Sequence, residues 1–262
     1  MNLNRRFVQV RPSERLTHTD LNDPRRTYTV LEHLARYRFA SQYVRGKSVI
    51  DAACGIGYGS KLLLDSGAAS VTGFDISDEA IKTARDLYAG RKVSFEKRDI
   101  TNGIPAHCDV FVSFETIEHL PLNRVERFIS SIAAVLDENG ILIISTPNRD
   151  AWNPGLTIHD HPYNPSHHFE LSRDEFEQYL RQGFRDVKIL NQIKKGLGYY
   201  VHRIVNAVAK RVTRSGSVSS IADRLGFYKI APEDPNRTYF YFLAVCKGPI
   251  KNPNSQVGAI ED

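Results

Sequence analysis

Apolar and polar positions along this 262-residue chain follow two alternating periods. Short apolar runs predict buried strands within residues 47–55, 69–77, 93–97, 109–114, 138–148, 185–191 and 238–248. Apolar positions three or four residues apart predict helices over residues 27–44, 60–66, 77–89, 124–136 and 172–184. Ser77 is expected to cap the third of these helices, and Ser172 with Glu175 forms the SxxE pattern of a capping box at the last.

Strands that alternate with helices predict an α/β fold, with a doubly wound, mostly parallel sheet of seven strands and helices on both faces. In such sheets, ligands bind at the carboxyl ends of the strands. The chain is accordingly divided into an N-terminal helical segment (1–47), a cofactor-binding core (48–192), a basic helical insertion (193–236), the last core strand (237–248) and a polar tail (249–262).

Two segments interrupt the alternation of strands and helices. Residues 149–169 hold three prolines and four histidines, which predicts a long irregular loop of the kind that commonly carries function. In the insertion, apolar residues from Tyr200 to Val212 line one face among lysines and arginines, which predicts a basic amphipathic helix. A solvated helix at the sheet edge is the simplest interpretation; contact with a membrane surface or with RNA are the alternatives.

Bulk properties narrow the class of protein. The hydrophobic content of 41% is ordinary for a globular protein, and the formal charge of +5 permits an anionic partner without requiring one. Three widely spaced cysteines, Cys54, Cys108 and Cys246, indicate reduced structural thiols rather than a disulfide framework or a zinc site. The sequence lacks both an apolar run of about 18 residues and a signal-peptide pattern, so a cytoplasmic location is expected.

The most informative stretch, DAACGIGYG at residues 51–59, follows the first predicted strand. Small residues there let a ligand approach the backbone, and the next helix offers its N–H groups. The GxGxG spacing differs from the GxGxxG of dinucleotide-binding folds, and a tight turn without a ligand explains it equally well. Asp75 and Asp99 follow at the next two strand ends, where they can accept from ribose hydroxyls and from an adenine amino group. Each acid alone could be a turn or cap residue, but the three in register favour a nucleotide-like ligand.

The segments DAACGIGYG, FDIS, KRDI and FVSFETIEHL together resemble the successive motifs of Rossmann-like, class I S-adenosylmethionine-dependent methyltransferases. The resemblance implies S-adenosylmethionine as the cofactor and the following residues around it: Tyr37, Asp51, Ala53, Gly55, Gly57, Asp75, Ile76, Asp99, Ile100, Phe114 and Glu115. Asp51, Gly55 and Gly57 would surround the methionine part. Asp75 would hold the ribose, Asp99 and Ile100 the adenine, and Phe114 or Glu115 would border the sulfonium. Asp75 is interpreted as an exposed acid, so its replacement by alanine is expected to remove cofactor affinity with little effect on folding.

Glu115, Glu118 and His119 stand at i, i+3 and i+4, which predicts one face of a helical turn after the fourth strand. Two acids beside an imidazole can bind a divalent cation, and they can equally cap and hydrogen-bond without one. This ExxEH motif resembles that of ubiquinone-pathway O-methyltransferases and of small-RNA 3′-terminal 2′-O-methyltransferases. In the latter, a histidine from a later HxFE-like segment completes the metal site, and His167 matches it. The resemblance implies Mg²⁺ or Mn²⁺ bound by Glu115, Glu118, His119 and His167, and catalysis by Glu118, His119 and His167.

Residues 33–60 are also similar to bacterial methyltransferases linked with saccharide or cell-surface biosynthesis. The sequence thus predicts an O-methyltransferase whose partner is a small polyhydroxylated or saccharide-like acceptor. RNA 3′-terminal 2′-O-methylation is the runner-up, disfavoured because the other signatures of the RNA enzymes are not evident. A non-catalytic cofactor-binding module and a nicotinamide-dependent oxidoreductase remain as other classes, the second disfavoured by the glycine spacing.

Overall fold

The computed structural model describes residues 27–104, 106–194, 228–232 and 239–251. Its strands are β1 (Ser48–Ala52), β2 (Ser70–Asp75), β3 (Val93–Lys97), β4 (Cys108–Phe114), β5 (Leu136–Pro147), β6 (Phe184–Lys194), β7 (Tyr228–Ala231) and β8 (Tyr241–Pro249). Its helices are α1 (Thr27–Ala40), α2 (Tyr58–Asp65), α3 (Asp78–Tyr88), α4 (Val125–Val135), α5 (Arg149–Trp152) and α6 (Arg173–Arg181). Within these residues, no helix is both long and apolar enough to cross a membrane.

The strands form one sheet in the order β3-β2-β1-β4-β5-β8-β6-β7. β1 to β5 pair in parallel, and β8, β6 and β7 add antiparallel pairings at the other side. This confirms the predicted doubly wound, mostly parallel α/β fold. The order turns back between β1 and β4, and a doubly wound sheet binds its ligand at such a switch point.

The predicted strand count of seven was wrong, because the sheet has eight strands. The additional strand, β7, lies inside the segment predicted as a helical insertion and pairs with β6. It is four residues long and none of them is buried, so no buried apolar run marks it in the sequence. The predicted basic helix from Tyr200 to Val212 and the tail beyond residue 251 lie outside the described residues.

Alternating side chains of the central strands fill two separate cores. On β4, Val110 and Val112 belong to the core beneath α1, α2 and α3, whereas Phe111 belongs to the core beneath α4 and α6. All three side chains are fully buried, and each such burial contributes about 1.5–3 kcal/mol. A strand apolar on both faces is what a parallel sheet covered by helices requires.

The ends of two helices confirm the predicted caps. The Ser77 side chain accepts from the backbone N–H of Ala80 at the start of α3. At α6, Ser172 accepts from the backbone N–H of Glu175, whose carboxylate accepts from the N–H of Ser172 at 2.7 Å. Such caps satisfy N–H groups that have no partner within the helix, and they fix where these two helices begin.

Candidate functional site

A cavity of about 480 Å³ lies at the carboxyl ends of β1, β2 and β4, the edge at which the sequence predicted a ligand. Its size is in the range typical of small-molecule sites. The predicted site residues that line it are Tyr37, Ala53, Gly55, Asp75, Ile76, Asp99, Ile100, Phe114, Glu115 and His119. Residues dispersed over 83 positions of the sequence, from Tyr37 to His119, therefore meet around one space.

Backbone strain is concentrated at this cavity. Among the described residues, Ala53 (φ 59°) and Glu115 (φ 50°) are the non-glycine residues with positive φ, and both line the cavity. A non-glycine residue in this region costs about 1–3 kcal/mol and persists only where its surroundings enforce it. Such outliers cluster at functional sites, which supports a functional role for this edge of the sheet.

The glycine turn between β1 and α2 is held by close packing. Gly57 has φ 83°, and a Cβ there would come within 2.7 Å of the Phe95 ring. A Cβ at Gly59 would overlap the ring of Tyr37, which reaches the turn from α1. Gly55, by contrast, lines the cavity, and a Cβ there would meet no atom within 4 Å. Gly57 is therefore needed for packing behind the cavity, whereas Gly55 leaves its surface open to a ligand.

Asp75 is more deeply buried and more extensively hydrogen-bonded within the protein than the sequence indicated. Its side chain is 3% exposed; Oδ2 accepts from the backbone N–H of Gly55 and Oδ1 from that of Ser77, both at 2.9 Å. The interpretation of Asp75 as an exposed acid was wrong, because its carboxylate is buried and connects the glycine turn to the end of β2. Asp75 also lines the cavity, so it combines a structural role with a position next to a ligand.

Asp99 is a cap residue, as one of the two interpretations predicted, and it also lines the cavity. Its Oδ1 accepts from the N–H and the hydroxyl of Thr101, at 2.9 and 2.7 Å, and its Oδ2 accepts from the Asn102 amide at 3.0 Å. An ionised carboxylate offers about four lone-pair positions, so these three bonds leave capacity for one more donor.

Asp51 lies behind the cavity wall rather than in it. Its carboxylate is 1% exposed and accepts from the hydroxyls of Tyr37 at 3.1 Å and Ser60 at 2.6 Å. Burial raises the pKa of Asp51 to about 7, although the two hydroxyls act in the opposite direction. Asp51 therefore does not itself line the cavity, whereas its hydrogen-bond partner Tyr37 does; its contact with the methionine part stays a prediction.

Glu115 and Glu118 do not share one helical face, which corrects the predicted geometry. Glu115 takes a left-handed conformation, and a short 3-10 turn over Ile117–His119 follows it. The Glu115 carboxylate accepts from Ser145 Oγ at 2.6 Å and lies 3.7 Å from the guanidinium of buried Arg36. Glu115 therefore belongs to the cavity wall and not to the carboxylate–histidine cluster described next.

Three of the four predicted metal ligands come together. Glu118, His119 and His167 each offer a ligand atom, and these atoms lie within 4.8 Å of one another. Glu118 is fully buried; Oε2 accepts from Thr146 Oγ1 at 3.1 Å, and Oε1 is buried without a hydrogen-bond partner among the residues that the structure describes. Burial, with the nearby Glu115 charge, raises the pKa of Glu118 to about 8. A buried carboxylate that offers a ligand atom within 4.8 Å of those of two imidazoles suits either a bound cation or a shared proton.

Carbonyl and carboxylate partners fix both imidazole rings. His119 Nδ1 lies 2.8 Å from the carbonyl oxygen of Ser166, and His167 Nδ1 lies 2.7 Å from Glu170 Oε1. Because these oxygens accept, each Nδ1 carries a hydrogen and each neutral ring keeps its lone pair on Nε2. The His167 lone pair accepts from the Asn164 amide at 2.9 Å, so a cation bound there would displace this amide. A carboxylate behind a histidine is the usual support of a metal ligand.

Sequence reasoning missed several residues that line the cavity. His33, Cys54, Tyr58, Arg98, Thr116, Leu120 and Ser166 were not singled out. His33 lies four residues before Tyr37 on α1, so the helical period could have placed it on the same face. Ser166 carried no such signal, because the course of a long loop does not follow from its composition.

Comparison with known proteins agrees with the site. A family model described as a methyltransferase domain matches residues 44–210. The chain belongs to this methyltransferase family. A Mycobacterium tuberculosis relative, named as a probable S-adenosylmethionine-dependent methyltransferase, is 34% identical over 161 residues, which are 61% of this chain and 57% of the relative. The ubiquinone biosynthesis O-methyltransferase of Nitrosospira multiformis is 36% identical over 110 residues, 40% of this chain and 45% of that protein.

Solved structures share the fold. A methyltransferase from Archaeoglobus fulgidus superposes with a TM-score of 0.55 at 19% identity, covering 82% of this chain and 94% of that one. S-adenosylmethionine is the cofactor of this methyltransferase family, in keeping with the names of these relatives. The chain spans only 57–64% of the length of its mycobacterial relatives.

Proposed function

We propose that this chain transfers the methyl group of S-adenosylmethionine to a hydroxyl oxygen of a small polyhydroxylated or saccharide-like acceptor. The observation that carries the proposal is one cavity lined at one side by strand-end acids and at another by His119. The ubiquinone biosynthesis O-methyltransferases among the relatives support the choice of oxygen as the atom methylated.

The residues present fit the cofactor. Ile76, 60% exposed, and Ile100 offer apolar surface to the cavity that Asp99 also lines, as an adenine ring requires. Asp75 is the group that would accept from the ribose hydroxyls, and the open face of Gly55 admits the chain that follows. When bound, S-adenosylmethionine supplies a methyl group that is already electrophilic, so the protein has to orient the acceptor and remove its proton.

His119 is the group best placed to take that proton. It lines the cavity, and the Ser166 carbonyl holds the hydrogen on Nδ1, so that Nε2 carries the lone pair. A neutral imidazole whose pKa lies near neutrality is an efficient general base for an alcohol. In its ionised form, Glu118, buried beside this ring, would stabilise the imidazolium once the proton is taken.

A divalent cation is the second way to activate the acceptor. Glu118, His119 and His167 would hold it, and an ion there would lower the pKa of an acceptor hydroxyl. Two oxygens of a vicinal diol could complete such a site. The 3′-terminal ribose of an RNA is also a vicinal diol, so this cluster is the observation that keeps RNA 3′-end methylation as a second candidate.

Methyl transfer from labelled cofactor tests the proposal. The full chain is incubated with separate pools of nucleotide sugars, quinone precursors and small RNAs, with and without a chelator. Label in a saccharide pool is expected; label only in RNA would establish the second candidate. Cofactor binding without transfer to any pool would favour a non-catalytic module instead.

A pair of variants makes the same experiment specific to the acceptor side. His167→Ala should abolish transfer while cofactor affinity stays unchanged, because His167 is buried in the cluster. His168→Ala, the exposed neighbour, is the matched control and should retain full transfer. Activity that survives chelation would assign His119 as the base without a metal.

A further inference from the structure

His33 on α1 and Tyr58 on α2 form a corner of the cavity that the proposed function leaves unassigned. Tyr58 is the first residue of α2, directly after the glycine turn. His33 Nδ1 lies 3.1 Å from the Tyr58 hydroxyl oxygen. The pair thus connects α1 to the glycine turn across this corner.

The basic side chains around the cavity indicate which part of the cofactor this corner can bind. The amino-acid end of S-adenosylmethionine carries a carboxylate, and a partly buried anion requires a charged or hydrogen-bonding partner. The basic side chains among the described residues of the wall are His33, Arg98 and His119. Arg98 precedes Asp99 after β3, and His119 lies on the acceptor side against Ser166. His33 is therefore the basic group beside the glycine turn.

The backbone N–H groups of the glycine turn are less available to an anion than the sequence indicated. The Gly55 N–H donates to Asp75 at 2.9 Å, and the Gly57 N–H donates to the Cys54 carbonyl at 3.1 Å. Both amides are satisfied within the protein. A side-chain donor at this end would therefore give a bound carboxylate a bond that these two amides do not offer.

Tyr58 holds the imidazole in place. Burial raises the pKa of the Tyr58 hydroxyl well above its usual range, so the phenol stays protonated at neutral pH. The Tyr37 ring packs against it edge to face, with centroids 5.8 Å apart. A protonated phenol can donate to His33 Nδ1 or accept from it, so this contact orients the ring in either protonation state.

We propose that His33, oriented by Tyr58, binds the carboxylate at the amino-acid end of the cofactor. This inference rests on the proposed function, because it takes the cavity to be the S-adenosylmethionine site. The assignment gives this corner a role in selectivity. The protein recognises an intact amino-acid end, and cofactor analogues that lack this end do not make the contact.

Two ligands measured by calorimetry on the full chain test the assignment. S-adenosylhomocysteine has the amino-acid end, and 5′-methylthioadenosine lacks it. His33→Ala should weaken S-adenosylhomocysteine by about tenfold or more, as expected for loss of a charge-assisted contact, and leave 5′-methylthioadenosine within about twofold. Tyr58→Phe should weaken only the first ligand, and by less. His107→Ala, an exposed histidine before β4 at the other edge of the sheet, is the matched control and should change neither.

The outcomes separate this inference from the proposed function. Unchanged S-adenosylhomocysteine affinity in His33→Ala, or equal weakening of both ligands, would overturn the assignment while leaving the cofactor site intact. Failure of the unsubstituted chain to bind either ligand would refute the proposed function itself. If His33→Ala does not fold, His33→Gln carries the same comparison, since it keeps a hydrogen-bond donor and removes the charge.

Discussion

Replacing Asp75 by alanine should reduce both stability and cofactor affinity. The carboxylate accepts from the N–H groups of Gly55 and Ser77, each at 2.9 Å, and is almost wholly buried. Alanine removes both acceptors and leaves two amides near the cavity without their partners. The glycine turn then loses its connection to the end of β2, and a ligand loses the acid beside its ribose.

The expected magnitude follows from these two bonds. A hydrogen bond to a charged group contributes about 1.5–3 kcal/mol, and water entering from the cavity recovers part of that for the exposed amides. The free energy of unfolding should therefore fall by about 2–4 kcal/mol. Loss of the ribose contact should weaken S-adenosylhomocysteine by about tenfold or more, since each 1.4 kcal/mol is a factor of ten.

Urea unfolding and calorimetry measure the two effects separately. Asp78→Ala is the matched control: this acid lies three residues away, is 79% exposed and pairs with Lys97 at 2.5 Å. Exposed pairs of this kind contribute about 0–1 kcal/mol, so the control should change stability little. Unaltered stability in Asp75→Ala would refute the reasoning from its backbone contacts, and unaltered affinity would remove Asp75 from the cofactor site.

Three further variants probe neighbouring features. Gly59→Ala should displace the Tyr37 ring, destabilise the protein by about 1–3 kcal/mol and weaken S-adenosylhomocysteine; equal affinity would show that the ring is dispensable. Because burial raises the folded-state pKa of Asp51 to about 7, the folded state binds more protons than the unfolded state between about pH 4 and 7, so stability should fall as pH rises through that window. Asp51→Asn should flatten this dependence in urea titrations at several pH values. Arg36→Ala should cost about 3 kcal/mol or more in the same assay, because it leaves the Glu115 charge without its buried partner.

The sequence predicts the parallel half of the fold well because its strands carry apolar residues in short runs or in alternation, and β1 and β4 are buried along almost their whole length. β4, for example, is apolar on both faces and is followed by an amphipathic helix, which together leave little choice of structure. The two caps at Ser77 and Ser172 were equally predictable from the sequence, since they depend only on residues within the same turn. β7 escaped prediction because an edge strand without buried residues has no such pattern.

The site was predictable as a set of residues but not as a set of roles. Asp75 and Asp99 were expected to face a ligand, and both line the cavity; their hydrogen bonds to nearby protein donors depend on loop conformation that no spacing reveals. Glu115 illustrates the limit best. Its spacing to Glu118 predicted one helical face, but a positive φ at Glu115 separates the two carboxylates. Backbone strain of this kind is set by the surrounding fold and leaves no trace in a three-residue spacing.

The carboxylate–histidine cluster is more readily explained by function than by stability. Within the described part of the chain, Glu118 Oε1 is buried without a hydrogen-bond partner, and leaving such a group unsatisfied costs about 1–3 kcal/mol. Burial also opposes its ionisation, as the raised pKa shows. A role confined to capping would favour an exposed acid or a glutamine at this position, since either would avoid both penalties. A cation or a transferred proton, in contrast, needs an oxygen that nothing else occupies, held against two imidazoles of fixed orientation. The chelation experiment distinguishes the two: loss of transfer in the chelator indicates a cation at Glu118, and full activity there indicates a proton.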